Sequence, residues 1–352
     1  MSIRSTAWKL LPVFLLGSLA SSSWAQEDAS ELNRLFEEIR AARMQVRYEA
    51  EQTVYAFTRQ KTVVSRFHVQ YAYPYLKRES LGQNPEARFV LLEDGNYLWR
   101  YLPSRKIVVK EPLRGGADGL FPSDLFDNLA LIRENYHFVI RGPVPADVGD
   151  CRIVEFMPKW QDRPRREIWF EEKWKLPVRV YVALPDGRTS YMAELRRISW
   201  NPELKPEAFE LKVPEDTRVH EIRDEANLTM EQAQNLLKRP LQLPSFIPPG
   251  FVPSNILFRE EGSRKRLQIV YADGLSSFSI FQEWTIGERK KDAAESGVPP
   301  AQSEPVPRFR QYGLINVLTI HLGGRKTVFV GDLQEEKLLE TARSLPDPPP
   351  PP

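Results

Sequence analysis

One cysteine and four histidines among 352 residues remove several chemistries at the outset. Cys151 has no partner within the chain, so no internal disulfide staples the fold and packing must supply its stability. A small buried hydrophobe, reduced and slow to react, is the expectation for that thiol. His68, His137, His220 and His321 are scattered, with no His-x-x-x-His pair and no Cys-x-x-Cys, so no metal site is expected. No Gly-x-Ser-x-Gly elbow occurs either, and the glycines of segment 114–119 lack the strand-to-helix context of a phosphate cradle. Neither a cofactor nor a catalytic set is therefore expected. A membrane-spanning run of ~20 apolar residues is also missing. The apolar stretch at 10–20 is shorter, follows Arg4 and Lys9, and precedes Ser23-Trp24-Ala25, the order of a secretory signal peptide. Cleavage after Ala25 and a periplasmic location are expected, and no cysteine follows the run to take a lipid. An excess of one charge is the last absence. The whole chain has 49 Lys plus Arg and 47 Asp plus Glu, and losing Arg4 and Lys9 with the signal leaves the remainder balanced. That argues against a nucleic-acid partner.

What is present suits two domains: about 327 residues after the signal, with 41% apolar residues in the full chain. Residues 28–45 predict a helix, with Leu32, Leu35, Phe36 and Ile39 at helical spacing and Asp28 with Glu31 placed as a capping box. A long series of strand patterns follows, at 48–58, 63–78, 88–92, 97–102, 106–111, 137–141, 151–157, 167–170, 177–183 and 189–198. Asp94-Gly95 and Asp186-Gly187 separate strand runs and predict type I′ hairpin turns. One helix, 123–133, interrupts the series. The charged stretch 216–227 reads as a linker, and Thr229 with Gln232 opens a further helix over 229–238. Strand runs at 255–259, 267–272, 276–283, 309–312, 315–321 and 326–330 then lead to a closing helix that Asp332 would cap. Segment 287–307 reads as a polar insertion and 346–352 as an extended proline tail. The expected division is signal 1–25, first domain 26–222, second domain 228–345 and tail 346–352. The fold class is mainly β with α.

Aromatic residues in strand register are the candidate site. Phe67, Val69, Tyr71 and Tyr73 alternate with polar residues, and Tyr97, Trp99 and Tyr101 repeat the pattern after the Asp94-Gly95 turn. Such a face packs a core, lines an apolar groove for lipid or peptide, or does both. With Trp169 they make the set expected to line that groove. Three basic clusters, 163–166, 264–266 and 289–291, read as solvated charges or as contacts for anionic head groups or an acidic partner.

Residues 31–220 resemble the MucB/RseB regulators of envelope-stress sigma factors and, more distantly, the LolA/LolB lipoprotein carriers. The resemblance rests on Phe67-His68-Val69-Gln70-Tyr71, on the run from Asp94 through Trp99 to Pro103, and on Glu155-Phe156-Met157-Pro158-Lys159. It continues in Arg166-Glu167-Ile168-Trp169-Phe170-Glu171, Leu176-Pro177-Val178-Arg179 and Phe209-Glu210-Leu211-Lys212-Val213-Pro214. The run from Leu243 to Phe251, the run from Val270 to Phe281, and Val330-Gly331-Asp332-Leu333 are similar to the second domain of the regulators, which simple carriers lack. The resemblance implies a half-open antiparallel β-barrel with helices across its mouth, followed by a smaller α+β domain. It also implies a non-catalytic protein that binds the exported segment of an anti-sigma factor and responds to lipid or an acylated protein. A carrier of lipid or lipoprotein is the alternative.

Overall fold

A computed structural model describes residues 29–58, 60–82, 88–113, 128–223, 228–237, 241–261, 264–285, 307–322 and 325–346. The signal, Asp28, the glycine-rich segment 114–119, most of the 287–307 insertion and all but the first residue of the tail lie outside the described residues.

Two large β-sheets carry the molecule. The first takes, in chain order, β1 (Arg47–Phe57), β2 (Thr62–Ala72), β3 (Tyr75–Ser80), β4 (Val90–Glu93), β5 (Tyr97–Leu102), β6 (Ile107–Pro112), β7 (Tyr136–Ala146), β8 (Gly149–Pro158), β9 (Arg165–Glu171), β10 (Pro177–Ala183), β11 (Thr189–Trp200) and β12 (Arg218–Glu221). Their order across the sheet is β12-β6-β5-β4-β3-β2-β1-β11-β10-β9-β8-β7, so most neighbours in space are neighbours in sequence. Every pairing is antiparallel except β12 with β6, which is parallel. β7 and β12 stand at opposite edges without pairing, and among the described residues the sheet does not close into a barrel.

Helix α1 (Ala29–Gln45) lies on one face of this sheet. The spacing of Leu32, Leu35, Phe36 and Ile39 puts all four on one side, where each is 0–1% exposed against Phe138, Val154, Phe156, Ile168, Phe170 and Val180. The short helix α2 (Leu129–Asn135), capped by Asn128 accepting from the Leu131 amide at 3.3 Å, adds Ile132 to that core. Of the expected helix over 123–133, residues 123–127 lie outside the described residues, and the observed helix begins at Leu129 and runs two residues further, to Asn135.

The second sheet has six antiparallel strands: β13 (Val252–Glu261), β14 (Arg264–Ala272), β15 (Ser277–Thr285), β16 (Arg308–Tyr312), β17 (Ile315–Leu322) and β18 (Arg325–Gly331). They lie in the order β13-β14-β15-β18-β17-β16. Helices α3 (Met230–Leu237) and α4 (Glu335–Arg343) cover one face, where Ala233, Leu237, Leu338 and Ala342 meet Ile256, Leu267, Ile280 and Phe329. The expected capping box of α3 is present: the Gln232 amide donates to Thr229 Oγ1 at 3.1 Å and the Thr229 amide to Gln232 Oε1 at 2.8 Å.

Three expectations are corrected. Gly95 (φ 89°) and Gly187 (φ 84°) are the positive-φ residues of their turns, whereas a type I′ turn needs two such residues. The charged stretch read as a linker contributes β12, tied to β6 by Lys106–Asp216 and Lys110–Glu221 ion pairs of 2.5 and 3.1 Å. Asp332 does not cap α4, whose N-cap is Gln334; it is buried between the two sheets.

Candidate functional site

Register decides where the aromatic residues go. Val69, Arg78, Leu91 and Arg100 are successive cross-strand partners, as are Gln70, Lys77, Leu92 and Trp99. Paired residues share a face, so Trp99, and with it Tyr97 and Tyr101, lies opposite to Phe67, Val69 and Tyr71. One groove does not gather the expected set. Phe67, Val69 and Tyr71 point to the helix side and are buried with Val46, Tyr48, Ala50, Leu176 and Leu195. Tyr71 stacks on Tyr48 at 5.1 Å and donates its hydroxyl to the Arg43 carbonyl of α1 at 2.8 Å. Burial pushes its phenol up. Tyr73 sits in the β2–β3 turn, 55% exposed.

On the other face, Lys110 Nζ lies 4.0 Å over the Tyr97 ring and 4.9 Å over Trp99, whose indole donates to Asp94 at 2.8 Å. Trp169 occupies that outer face too, beside the Arg179 guanidinium at 5.0 Å, with its indole donating to Glu167. The helix side is apolar from β7 to β2, where the protein's own side chains fill it. From β3 to β6 it carries ion pairs instead, Arg78–Glu93 at 3.1 Å and Arg100–Glu111 at 2.5 Å.

The seam between the sheets is the most heavily built polar region, and it uses part of a basic cluster expected to be solvated. Arg163 is buried, pairs with Asp273 at 3.1 Å, donates to the Pro249 carbonyl and lies 4.4 Å over Phe251. Arg166 meets Asp332 at 2.5 Å. Arg165, between them, is exposed and pairs with Glu155. From the first sheet, the Tyr136 hydroxyl donates to Asp273 at 2.9 Å, and Asn135 Nδ2 donates to the Asp273 and Gly250 carbonyls, each at 3.1 Å. The Asn135 side-chain oxygen Oδ1 accepts from the Trp160 indole. Asp273 also accepts from the amides of Leu275 and Ser276 at 3.0 and 2.7 Å. Burial pushes both carboxyls up, Asp332 to about 6 despite the adjacent Arg166 charge. Apolar contacts join the same seam: Leu275 enters the core of the first sheet and Leu314 packs against it. Sequence reasoning missed all of these, since the Asp273-Gly274 pair has the form of an ordinary turn.

Along the same seam the β16–β17 turn abuts β1, with Gly313 so near Ala56 that an added Cβ would sit 2.9 Å from the Ala56 methyl. Beside that contact opens a cleft of about 360 Å³ lined by Phe57, Thr58, Leu184, Arg188, Thr189 and Gln311. Cys151 is buried away from it, and burial raises its thiol to about 11.

No family model and no curated protein matches the chain. Solved structures do. A structure of the Pseudomonas aeruginosa MucA/MucB complex aligns over 91% of this chain and 100% of its own, with a TM-score of 0.60 and 15% identity. The chain has the fold of MucB. A crystal structure of MucB in complex with MucA(peri) gives the same result, over 92% of this chain and 100% of its own at a TM-score of 0.58 and 16% identity. Coverage of that extent takes in both sheets, so the MucB likeness includes the second sheet as well as the first. A LolA superfamily protein from Nitrosomonas europaea aligns over 51% of this chain and 96% of its own, at a TM-score of 0.27 and 13% identity. No helix among the described residues is long and apolar enough to cross a membrane.

Proposed function

We propose that this chain is a non-catalytic, exported regulator that grips the exported segment of a membrane-bound anti-sigma factor and releases it when lipid or an acylated protein signals envelope stress. The observation that carries the reading is the fold match to MucB, over 91–92% of this chain, in structures of MucB in complex with MucA. The signal pattern read at 1–25 supports export to the compartment where such a segment would be exposed. For the lipid arm, the candidate acceptor is the helix side of β1 and β2, around Phe67, Val69 and Tyr71. That space is filled by α1 and neighbouring side chains, so an acyl chain would enter by displacing the helix. Burying an acyl chain gains ~0.8 kcal/mol per methylene, enough to compete with one helix face. Release follows only if the lipid binds the helix-displaced state more tightly than the closed one.

The test is calorimetric titration of the full-length mature protein with the exported segment of the anti-sigma factor encoded in the same genome, with and without a saturating lipopeptide. Saturable binding that the lipopeptide weakens supports the reading. Lipopeptide binding with no affinity for the segment would make the chain a carrier instead.

A further inference from the structure

The second sheet has two faces of different character. Ile269, Ile280, Phe329 and Leu318 are successive cross-strand partners, and they form the core face that α3 and α4 cover. Residues of the other parity build the opposite, open face. One row of it runs Val270, Ser279, Val330, Val317 and Arg310, and the next runs Gln268, Phe281, Val328, Thr319 and Arg308. The valines and Phe281 at its centre are half-buried. Tyr312 and Ile315, paired across β16 and β17 on the same face, are 59% and 41% exposed. Apolar side chains that adjoin one another on a single face mark an interaction surface, whereas the same residues scattered singly would not.

Charge around that apolar centre selects the partner. Of the three basic clusters, 163–166 is taken up largely by the seam and 289–291 lies outside the described residues. The third supplies Arg264 and Arg266 to the open face, while Lys265 between them turns to the helix side and donates to the Leu236 carbonyl at 3.3 Å. Lys326 joins the open face from β18, and Arg308 and Arg310 from the edge strand β16; all five basic residues are exposed. Among the described side chains of this face the acid is Glu283, and Arg266 engages it at 2.5 Å. β14 and β16 are four strand steps apart, roughly 19 Å at ~4.8 Å per step. Charges so spread cannot converge on one anionic group. They suit a partner that is negatively charged over its whole surface and apolar beneath. A second copy of this chain set face to face would oppose like charges instead. We infer that the open face of the second sheet is a docking surface for an anionic phospholipid bilayer. The basic residues meet the head groups, and Tyr312 and Ile315 enter the interface, where aromatic rings settle. This goes beyond the functional reading above and does not depend on it, since it needs neither an anti-sigma partner nor an acyl chain inside the first sheet.

The experiment is cosedimentation of the full mature protein with vesicles of phosphatidylcholine alone and of phosphatidylcholine mixed with phosphatidylglycerol. The wild type should bind the mixed vesicles and not the neutral ones. Arg264→Glu and Arg310→Glu should each weaken binding at least about fivefold at low salt, with the loss shrinking as salt is raised. Tyr312→Ser should weaken it at every salt concentration. Arg105→Glu, the same charge change at an exposed position of the first sheet, should leave it unchanged. Thermal melts confirm that each variant is folded, and Arg264→Gln and Arg310→Gln read the same contacts if a glutamate variant is not. No binding of the wild type to the mixed vesicles would overturn the inference, as would equal binding to neutral ones. Binding that the open-face variants leave intact would overturn it too, and would assign the lipid to the first sheet. Capture of polyglutamate that these variants abolish, without vesicle binding, would make the face a site for an acidic protein instead.

Discussion

Asp332 is the residue whose environment most departs from what its neighbours in sequence suggest. It is held by Arg166 at 2.5 Å and by the Ser277 amide at 3.2 Å, with the Asp273 carboxylate and the Ser276 hydroxyl also facing it. Removing its charge from water costs more than Arg166 returns, so its carboxyl rises from the usual carboxylate range to about 6. An unfolded chain protonates this group only near pH 4. The folded protein therefore takes up the proton first as pH falls, and this group stabilises the fold on mild acidification, contrary to an ordinary salt-bridged carboxylate. Between pH 7 and pH 5 the gain is about 1 kcal/mol. Asp332→Asn removes it, so urea melts at the two pH values should show the wild type gaining by that amount relative to the variant. A difference that stays flat, or shrinks on acidification, would show that the Arg166 charge dominates the site.

Among the elements, α1 is the one on which the first core depends most. Phe36 is 1% exposed and stacks on Phe156 with ring centroids 6.5 Å apart, so Phe36→Ala leaves a cavity between helix and sheet. The expected cost is ~3–5 kcal/mol, read as a lower urea midpoint with an unchanged slope. A loss under ~1 kcal/mol would mean that α1 rests on the sheet without being built into it. This helix was legible in the sequence because four apolar residues repeat at its period and nothing else competes for them. The strands were legible for the same reason with period two. Their faces were not: alternation says that Tyr97, Trp99 and Tyr101 share a side, but the lengths of the intervening turns decide which side, and here they turn that set away from Phe67, Val69 and Tyr71. β12 escaped notice because an edge strand exposed along its whole length has no apolar pattern to read. Arg163 and Arg166 look like surface charges in sequence, and only the fold brings Asp273 and Asp332, more than 100 residues away, to neutralise them.

For the whole molecule, the seam determines whether the two sheets act as one body. A flexible tether would let them reorient, yet Leu275 fills the core of the first sheet while Asn135 and Tyr136 hydrogen-bond to Asp273 across the seam. Separating the sheets would break the Arg163–Asp273 and Arg166–Asp332 pairs and the hydrogen bonds of Asn135 and Tyr136 to Asp273, each exchanged for water at a net loss of ~0.5–1.5 kcal/mol, and would pull Leu275 out of the first core. Truncation after Asn227 is therefore a poor way to ask what the second sheet binds, because it damages the first. Gly274 offers a cleaner separation. Its φ of 105° suits glycine, and an added Cβ would lie 2.8 Å from both the backbone nitrogen and a side-chain carbon of Ile132 in α2. Gly274→Val should wedge the seam apart while leaving both sheets intact. Scanning calorimetry of the wild type is expected to give one cooperative transition, and the variant two, the first of them at lower temperature. Two transitions in the wild type would mean that the seam is too weak to couple the sheets.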